Sequence, residues 1–303
     1  MPIRRRTARG IPNGSRTAQG IPIRSRTALL GAGACVALLG LDWIAAFRIA
    51  PFQRADQSIF LQFVALHAHG PVAWTAGHLV ARFTPGWYLL LVLVPLGVAL
   101  ARGRRPLVLA VLAIVLGANA TTELLKPLLA TPRPGSLFVG GASPVPPASW
   151  PSGHATAVMS LVLATVLVAP ARFRPVVAAL GGALAIGVGY SVLADGMHYP
   201  SDVIGGFLVA ATWALCTVAA LLAAEGRRPS ARTSPGRVSI RAALGPTGAV
   251  LVAAVALAGL LIALRPHDVV SYADAHPAFV VGAAGIAALG LTLSTGVLLS
   301  VRR

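Results

Sequence analysis

Charge is scarce in this chain. Only 11% of its 303 residues are Asp, Glu, Lys or Arg, against about a quarter in an ordinary soluble domain, and that shortage excludes a water-soluble globular protein. Acid is scarcer still, with 8 acidic residues against 25 basic ones. Lysine is almost missing: the basic set is 24 arginines and one lysine, Lys126. Arginine is thus the general-purpose cation, and the single lysine marks a place with a task of its own. Cysteine is also rare. Cys35 and Cys216 lie inside apolar runs without metal-ligand spacing, so both read as buried packing residues.

What the sequence has is hydrophobicity. Apolar residues make up 56% of it and the mean hydropathy is +0.78. Runs of ~17–25 apolar residues recur, long enough to cross a bilayer as helix. The expected fold is all-α, a multi-pass transmembrane helical bundle. A net charge of +17 would point to nucleic acid in a soluble protein. Here the arginines sit mostly in short segments between apolar runs, as topology-setting charge does. The membrane is therefore the partner, and nucleic acid is not.

Four regions follow. Residues 1–27 hold seven arginines and no acid, cannot bury enough apolar surface to fold alone, and read as a flexible cytoplasmic tail. A signal peptide also starts basic, but no small-residue cleavage site precedes Asp42, which favours a retained first helix. Residues 28–225 form a six-helix membrane core, with spans expected near 28–47, 86–101, 106–125, 154–169, 176–195 and 203–224. The mixed segment 48–85 suits a helix lying in the interface. Residues 226–246 are a basic cytoplasmic linker, and 247–303 carry two further spans. With the amino terminus inside, the inner segments hold 19 of the 25 basic residues, which satisfies the positive-inside rule. Both termini are then cytoplasmic, in a plasma-membrane protein.

That topology places three polar clusters on the outer face. The central one is Ser149-Trp150-Pro151-Ser152-Gly153-His154. Ser152 and Gly153 stand at an expected helix start, where unpaired backbone N–H groups bind anions, and His154 can donate a proton to a leaving oxygen. Upstream, Lys126 and Arg133 flank two prolines and could both turn toward one phosphoryl group. Downstream, His198 and Asp202 are four apart. A carboxylate there would orient the imidazole and leave its other nitrogen as a nucleophile. Each cluster also fits a plainer reading: lipid-headgroup anchors, an ordinary helix cap, an incidental His–Asp pair interrupted by Pro200.

Together, Lys-x6-Arg-Pro, Pro-Ser-Gly-His and Ser-x6-His-x3-Asp resemble the type 2 phosphatidic acid phosphatase (PAP2) superfamily, in its membrane lipid-phosphatase branch. The resemblance covers roughly residues 55–225. It implies a metal-independent phosphatase, without cofactor, that hydrolyses a phosphomonoester or diphosphate such as phosphatidate, phosphatidylglycerophosphate or a polyprenyl (di)phosphate. It implies His198 as the nucleophile that forms a phosphohistidine, Asp202 as its orienting carboxylate, and His154 as general acid and then base. Lys126, Arg133, Ser152 and Gly153 would be the phosphoryl cradle. Two other readings stay open: a phosphotransferase using the same intermediate, and a degenerate member that binds lipid phosphates without turnover. Oligomeric state is left unassigned.

One position departs from the pattern. The third motif usually reads Ser-Arg, and here it reads Ser191-Val192. Losing one charge-assisted contact to a transition-state anion costs about 10²–10³ in rate. Val192→Arg is therefore expected to raise phosphate release by the detergent-purified protein, or to leave it unchanged. A clear fall would mark a site rebuilt for another ligand.

Overall fold

The computed structural model describes residues 23–67, 70–135, 138, 140–226 and 240–301. Of the tail expected over 1–27, residues 1–22 lie outside the described residues and 23–27 open the first helix; of the linker expected over 226–246, residues 227–239 lie outside them and 240–246 open a later helix. Among the described residues the chain is helical, in the order α1 (Ile23–Arg48), α2 (Ala50–His67), α3 (Gly70–Ala81), α4 (Pro85–Ala101), α5 (Arg105–Leu128), α6 (Gly153–Val168), α7 (Arg174–Ala194), α8 (Pro200–Gly226), α9 (Ile240–Leu264), α10 (Pro266–Ala275) and α11 (Pro277–Ser300). No sheet forms among them; one isolated bridge pairs Pro134 with Ala142. Among the described residues six helices are long and apolar enough to span a bilayer, and α3 with α4 makes a seventh candidate broken by a 66° bend.

Proline and glycine punctuate these helices. Pro stands in the first turn of α4, α5, α7, α10 and α11, where its missing N–H is no loss. Gly103, at φ +61, takes the left-handed conformation that closes the turn between α4 and α5. Arg102 in that turn donates to the last carbonyls of α6, Val168 O at 2.6 Å and Ala169 O at 3.0 Å. Arg174 donates to Ala169 O and Val301 O, each at 3.0 Å. One end of the bundle is thus an arginine end, where guanidinium groups satisfy helix C-termini.

The 16-residue α6 is the axis of the fold. It is buried on nearly all faces and packs on α4, α5, α7 and α8, as a helix apolar all round must. Its N-terminus lies at the end opposite the arginines. There α8 approaches closely because Gly205 and Gly206 lack side chains. A Cβ on Gly205 would lie 2.7 Å from Trp150 Nε1, and one on Gly206 would lie 2.7 Å from Ser152 O. The two C-terminal spans are α9 and α11. The latter packs on α7 and α8, and α9 packs chiefly on α7.

Some local expectations change. The segment 48–85 is not one interfacial helix but two, α2 and α3, with α2 packed on α1, α7 and α11. The chain between the last two spans forms α10. Cys35 is buried as expected, but Cys216 is exposed, because it lines an open apolar groove between α5 and α8 with Leu109, Trp213 and Ala220. Trp150 is buried and donates to Asp42 Oδ2 at 2.9 Å.

The Gly206 contact is with backbone, which cannot rotate away. Gly206→Ala should therefore cost about 1–3 kcal/mol as an overpacked interface, read as a lower unfolding temperature in detergent. The same substitution at Gly248, where a Cβ meets nothing within 4 Å, should leave that temperature unchanged.

Candidate active site

The downstream cluster is shaped by a helix start. After α7, Gly196 at φ +69 turns the chain, and α8 begins at Pro200. Pro200 does not break the His198–Asp202 pair; it is the first residue of the helix. Asp202, in its first turn, reaches back so that Oδ2 accepts from Tyr199 N–H at 3.0 Å, the reciprocal half of a capping box. The same oxygen lies 3.3 Å from His198 Nδ1. Asp202 is fully buried and His198 only 8% exposed, so the ring is held by one nitrogen and its Nε2 is left for chemistry.

The central cluster meets it directly. Ser152 N–H donates to Asp202 O at 2.8 Å, a main-chain bond that ties the start of α6 to α8. Ser152 Oγ accepts from Ala155 N–H at 3.3 Å, so this side chain is the cap of α6. The Gly153 and His154 amides fall in the first turn, where no carbonyl one turn earlier exists to take them. The His154 and His198 rings lie 6.4 Å apart between centroids.

Lys126 enters from the last turn of α5. Its Nζ lies 3.1 Å from where a Cβ on Gly153 would stand, and Glu123 Oε1 lies 3.4 Å from the same point. Only glycine leaves that space open. Lys126 and Glu123 form an ion pair at 2.6 Å. The ammonium, the α6 N-terminus and both histidines thus share one small region.

Arg133 lies one layer behind. It is 7% exposed, with Nη1 donating to Asp56 Oδ2 at 2.6 Å and Nη2 donating to Asp202 Oδ1 at 2.5 Å and to Ser201 Oγ at 2.9 Å. The Phe47 and Tyr199 rings lie over it at 4.3 and 4.6 Å. The resemblance puts Arg133 in the phosphate cradle; here its terminal nitrogens hold carboxylates, on the oxygen of Asp202 opposite His198. Val192 is fully buried in the main core, which corrects the expectation for Val192→Arg: a guanidinium there would displace packed side chains, so a fall in phosphate release marks a rebuilt site only if the unfolding temperature is unchanged. Arg82, at the α3–α4 bend, has its guanidinium over the Trp87 ring at 4.8 Å.

Sequence reasoning expected a helix in 48–85 but assigned nothing to Asp56 on α2. Asp56 accepts from Ser201 N–H at 3.0 Å and from Ser201 Oγ at 2.6 Å, besides Arg133. Burial pushes its carboxyl above the ordinary range, opposed by Arg133 and Ser201. At the other end of α2, His67 Nδ1 lies 3.1 Å from Asp195 Oδ1, and burial raises Asp195 against that partner. The available signal was spacing: Asp56 shares a helical face with Ile59, Phe60 and Phe63, all buried. An acid on an apolar face requires a partner.

These features define a helical membrane protein that brings two histidines and one lysine together at one end of its bundle. The family model described as PAP2 superfamily matches residues 107–225, from the first turn of α5 to the last of α8, and that stretch carries the PAP2-superfamily fold. No curated protein and no solved structure matches it significantly. Among the described residues no three His, Cys, Asp or Glu side chains converge in the manner of a metal site.

The Glu123 side chain is 65% exposed, so its pair with Lys126 adds little stability. It does place a carboxylate where an anion would sit. Glu123→Gln should leave the unfolding temperature within error and tighten inhibition by inorganic phosphate severalfold. Lys126→Gln should weaken that inhibition by about tenfold or more.

Proposed function

We propose that this protein is a membrane lipid-phosphate phosphatase working through a phosphohistidine. The observation that carries the reading is the pair of imidazoles. His198 is fixed through Nδ1 by a buried carboxylate, and His154 lies 6.4 Å away at a helix N-terminus, close enough for both to touch one phosphoryl group. His198 Nε2 attacks phosphorus, and the bond to the departing oxygen breaks as His154 gives that oxygen its proton. Asp202 stabilises the cationic ring that results. His154, now neutral, takes a proton from water, whose oxygen attacks phosphorus and releases phosphate and free His198. Lys126 and the first amides of α6 oppose the charge on the non-bridging oxygens; Ser152 keeps those amides in place as the helix cap.

The substrate class follows from the setting. The site lies at one end of a bundle of bilayer-length helices, at the level where a lipid presents its phosphate. Phosphatidate, phosphatidylglycerophosphate and polyprenyl (di)phosphates are the candidates. The arginine-rich end around Arg102 and Arg174 is opposite the site, which supports an outward-opening site in the plasma membrane with both termini inside.

The test is phosphate release from a panel of these lipids by detergent-purified protein. His198→Ala should lower turnover by about a thousandfold or more, and His154→Ala should lower kcat with little change in KM. Parental turnover in His198→Ala would overturn the reading.

A further inference from the structure

Asp202 faces a cation on each side. Oδ2 lies against His198 Nδ1 at 3.3 Å and Oδ1 against Arg133 Nη2 at 2.5 Å. A carboxylate and a guanidinium at that distance, both buried, form a neutral pair. Such a pair orients a neighbouring imidazole but lends it little negative field. The structure supplies a second carboxylate. Asp56 grips the same guanidinium through Nη1 at 2.6 Å and is itself buried. The triplet Asp56, Arg133 and Asp202 thus carries one net negative charge, and that charge is balanced when the His198 ring becomes cationic.

Asp56 also fixes geometry. Its two oxygens take the N–H and the Oγ of Ser201, the residue next to Asp202 in the first turn of α8. Phe60, one turn along α2, packs on Tyr199 at 4.9 Å. One face of α2 therefore holds the turn that carries His198, Ser201 and Asp202.

We propose that Asp56 is a positioning residue of this site: it neutralises Arg133 and pins the start of α8, so that Asp202 keeps its charge for His198. The proposal rests on the reading of His198 as nucleophile and adds to it the element that sets its electrostatics. The other charged or titratable groups near the triplet and the imidazole are few. Asp42 on α1 accepts from Trp150 Nε1 at 2.9 Å. Tyr199 bonds Ser143 through its hydroxyl. The His154 ring on α6 lies 6.4 Å from that of His198, Lys126 and its partner Glu123 on α5 lie beside Gly153, and Asp195 at the end of α7 pairs with His67.

The test uses pH profiles of kcat/KM for the full chain in detergent, with dioctanoyl phosphatidate and farnesyl diphosphate as probes and the faster one followed. The acid limb reports the nucleophile losing its proton; the substrate's own titration is common to every variant. Asp56→Asn leaves the triplet neutral, so the imidazolium is less favoured and the acid limb should move to lower pH by about half a unit or more. Its kcat should fall at least about tenfold, with KM changed less than about threefold. Asp56→Asn with Arg133→Gln removes one charge of each sign and restores the net negative charge, so the limb should return toward the parental pH. A residue acting only on folding would lower the yield of active protein and leave the limb in place, and the double variant would be worse than either single.

An unmoved limb in Asp56→Asn, or a limb no closer to the parent in the double variant, overturns the proposal. Where Asp56→Asn is not recovered folded because its guanidinium is left under-compensated, the double variant is read against the parent alone. A coincident limb supports the proposal and a displaced one overturns it. His198→Ala run beside them separates the two levels. If it keeps parental turnover, or the parent turns over neither probe, the phosphohistidine reading fails and the inference with it. If it abolishes turnover while the limb ignores Asp56, the inference alone fails.

Discussion

A fully buried carboxylate inside a membrane bundle is tolerated only when each of its oxygens is engaged, since an uncompensated ion there costs several kcal/mol. Asp202 meets that condition by tying four pieces of chain together. Its main-chain oxygen takes Ser152 N–H and so sets α6 against α8. Its side chain takes Tyr199 N–H at the start of its own helix, Arg133 from the loop after α5, and His198 from the turn after α7. Removing any partner would leave charge or a polar group without compensation at the point where those pieces meet. The positions of His154 and His198 relative to one another follow from this one residue, whose carboxylate holds His198 and whose main-chain oxygen holds the start of α6.

The rest of the bundle makes that arrangement affordable. A helix as short as α6, buried on nearly all faces, presents its N-terminus inside the protein envelope and not in water, and dipolar effects there are weakly screened. Glycines at 205 and 206 bring α8 near enough for the Ser152–Asp202 bond. At the far end, Arg102 and Arg174 take the carbonyls that α6 leaves open. One end of the axis is therefore closed by protein cations, and on the proposed reading the other is open to a ligand anion.

The three polar clusters and the spans between them were legible from the sequence because they are written locally: twenty apolar residues, a proline before a serine and a glycine, a histidine four before an aspartate. What escaped is long-range. Asp56 sits 145 positions from Ser201, and no periodicity in 48–67 says which helix its face will meet. Arg133 illustrates the same limit. Lys-x6-Arg-Pro fixes its distance along the chain, but whether a guanidinium turns to a phosphate or to a carboxylate is decided by Asp56 and by the Phe47 and Tyr199 rings, none of them nearby in sequence. Cys216 went wrong for a solvent reason: in lipid, an apolar helix face need not be buried in protein, so an apolar run does not imply an interior cysteine.

The supply of positive charge at the α6 N-terminus follows from these placements. Arg133 is drawn to the back of Asp202, and Val192 contributes no guanidinium. Lys126 and the first amides of α6 remain, with Glu123 against the ammonium. On the proposed reading, a phosphoryl dianion in this site is opposed by one ammonium and a half-charge of helix dipole, and is under-compensated in the ground state. That arrangement disfavours tight binding of product phosphate, which carries the same charge. It favours the step in which charge is moved onto His198, because the buried negative triplet behind that ring is then balanced. The distribution of charge, negative behind the nucleophile and only weakly positive in front, places the stabilisation on the transferring state and not on what arrives or leaves.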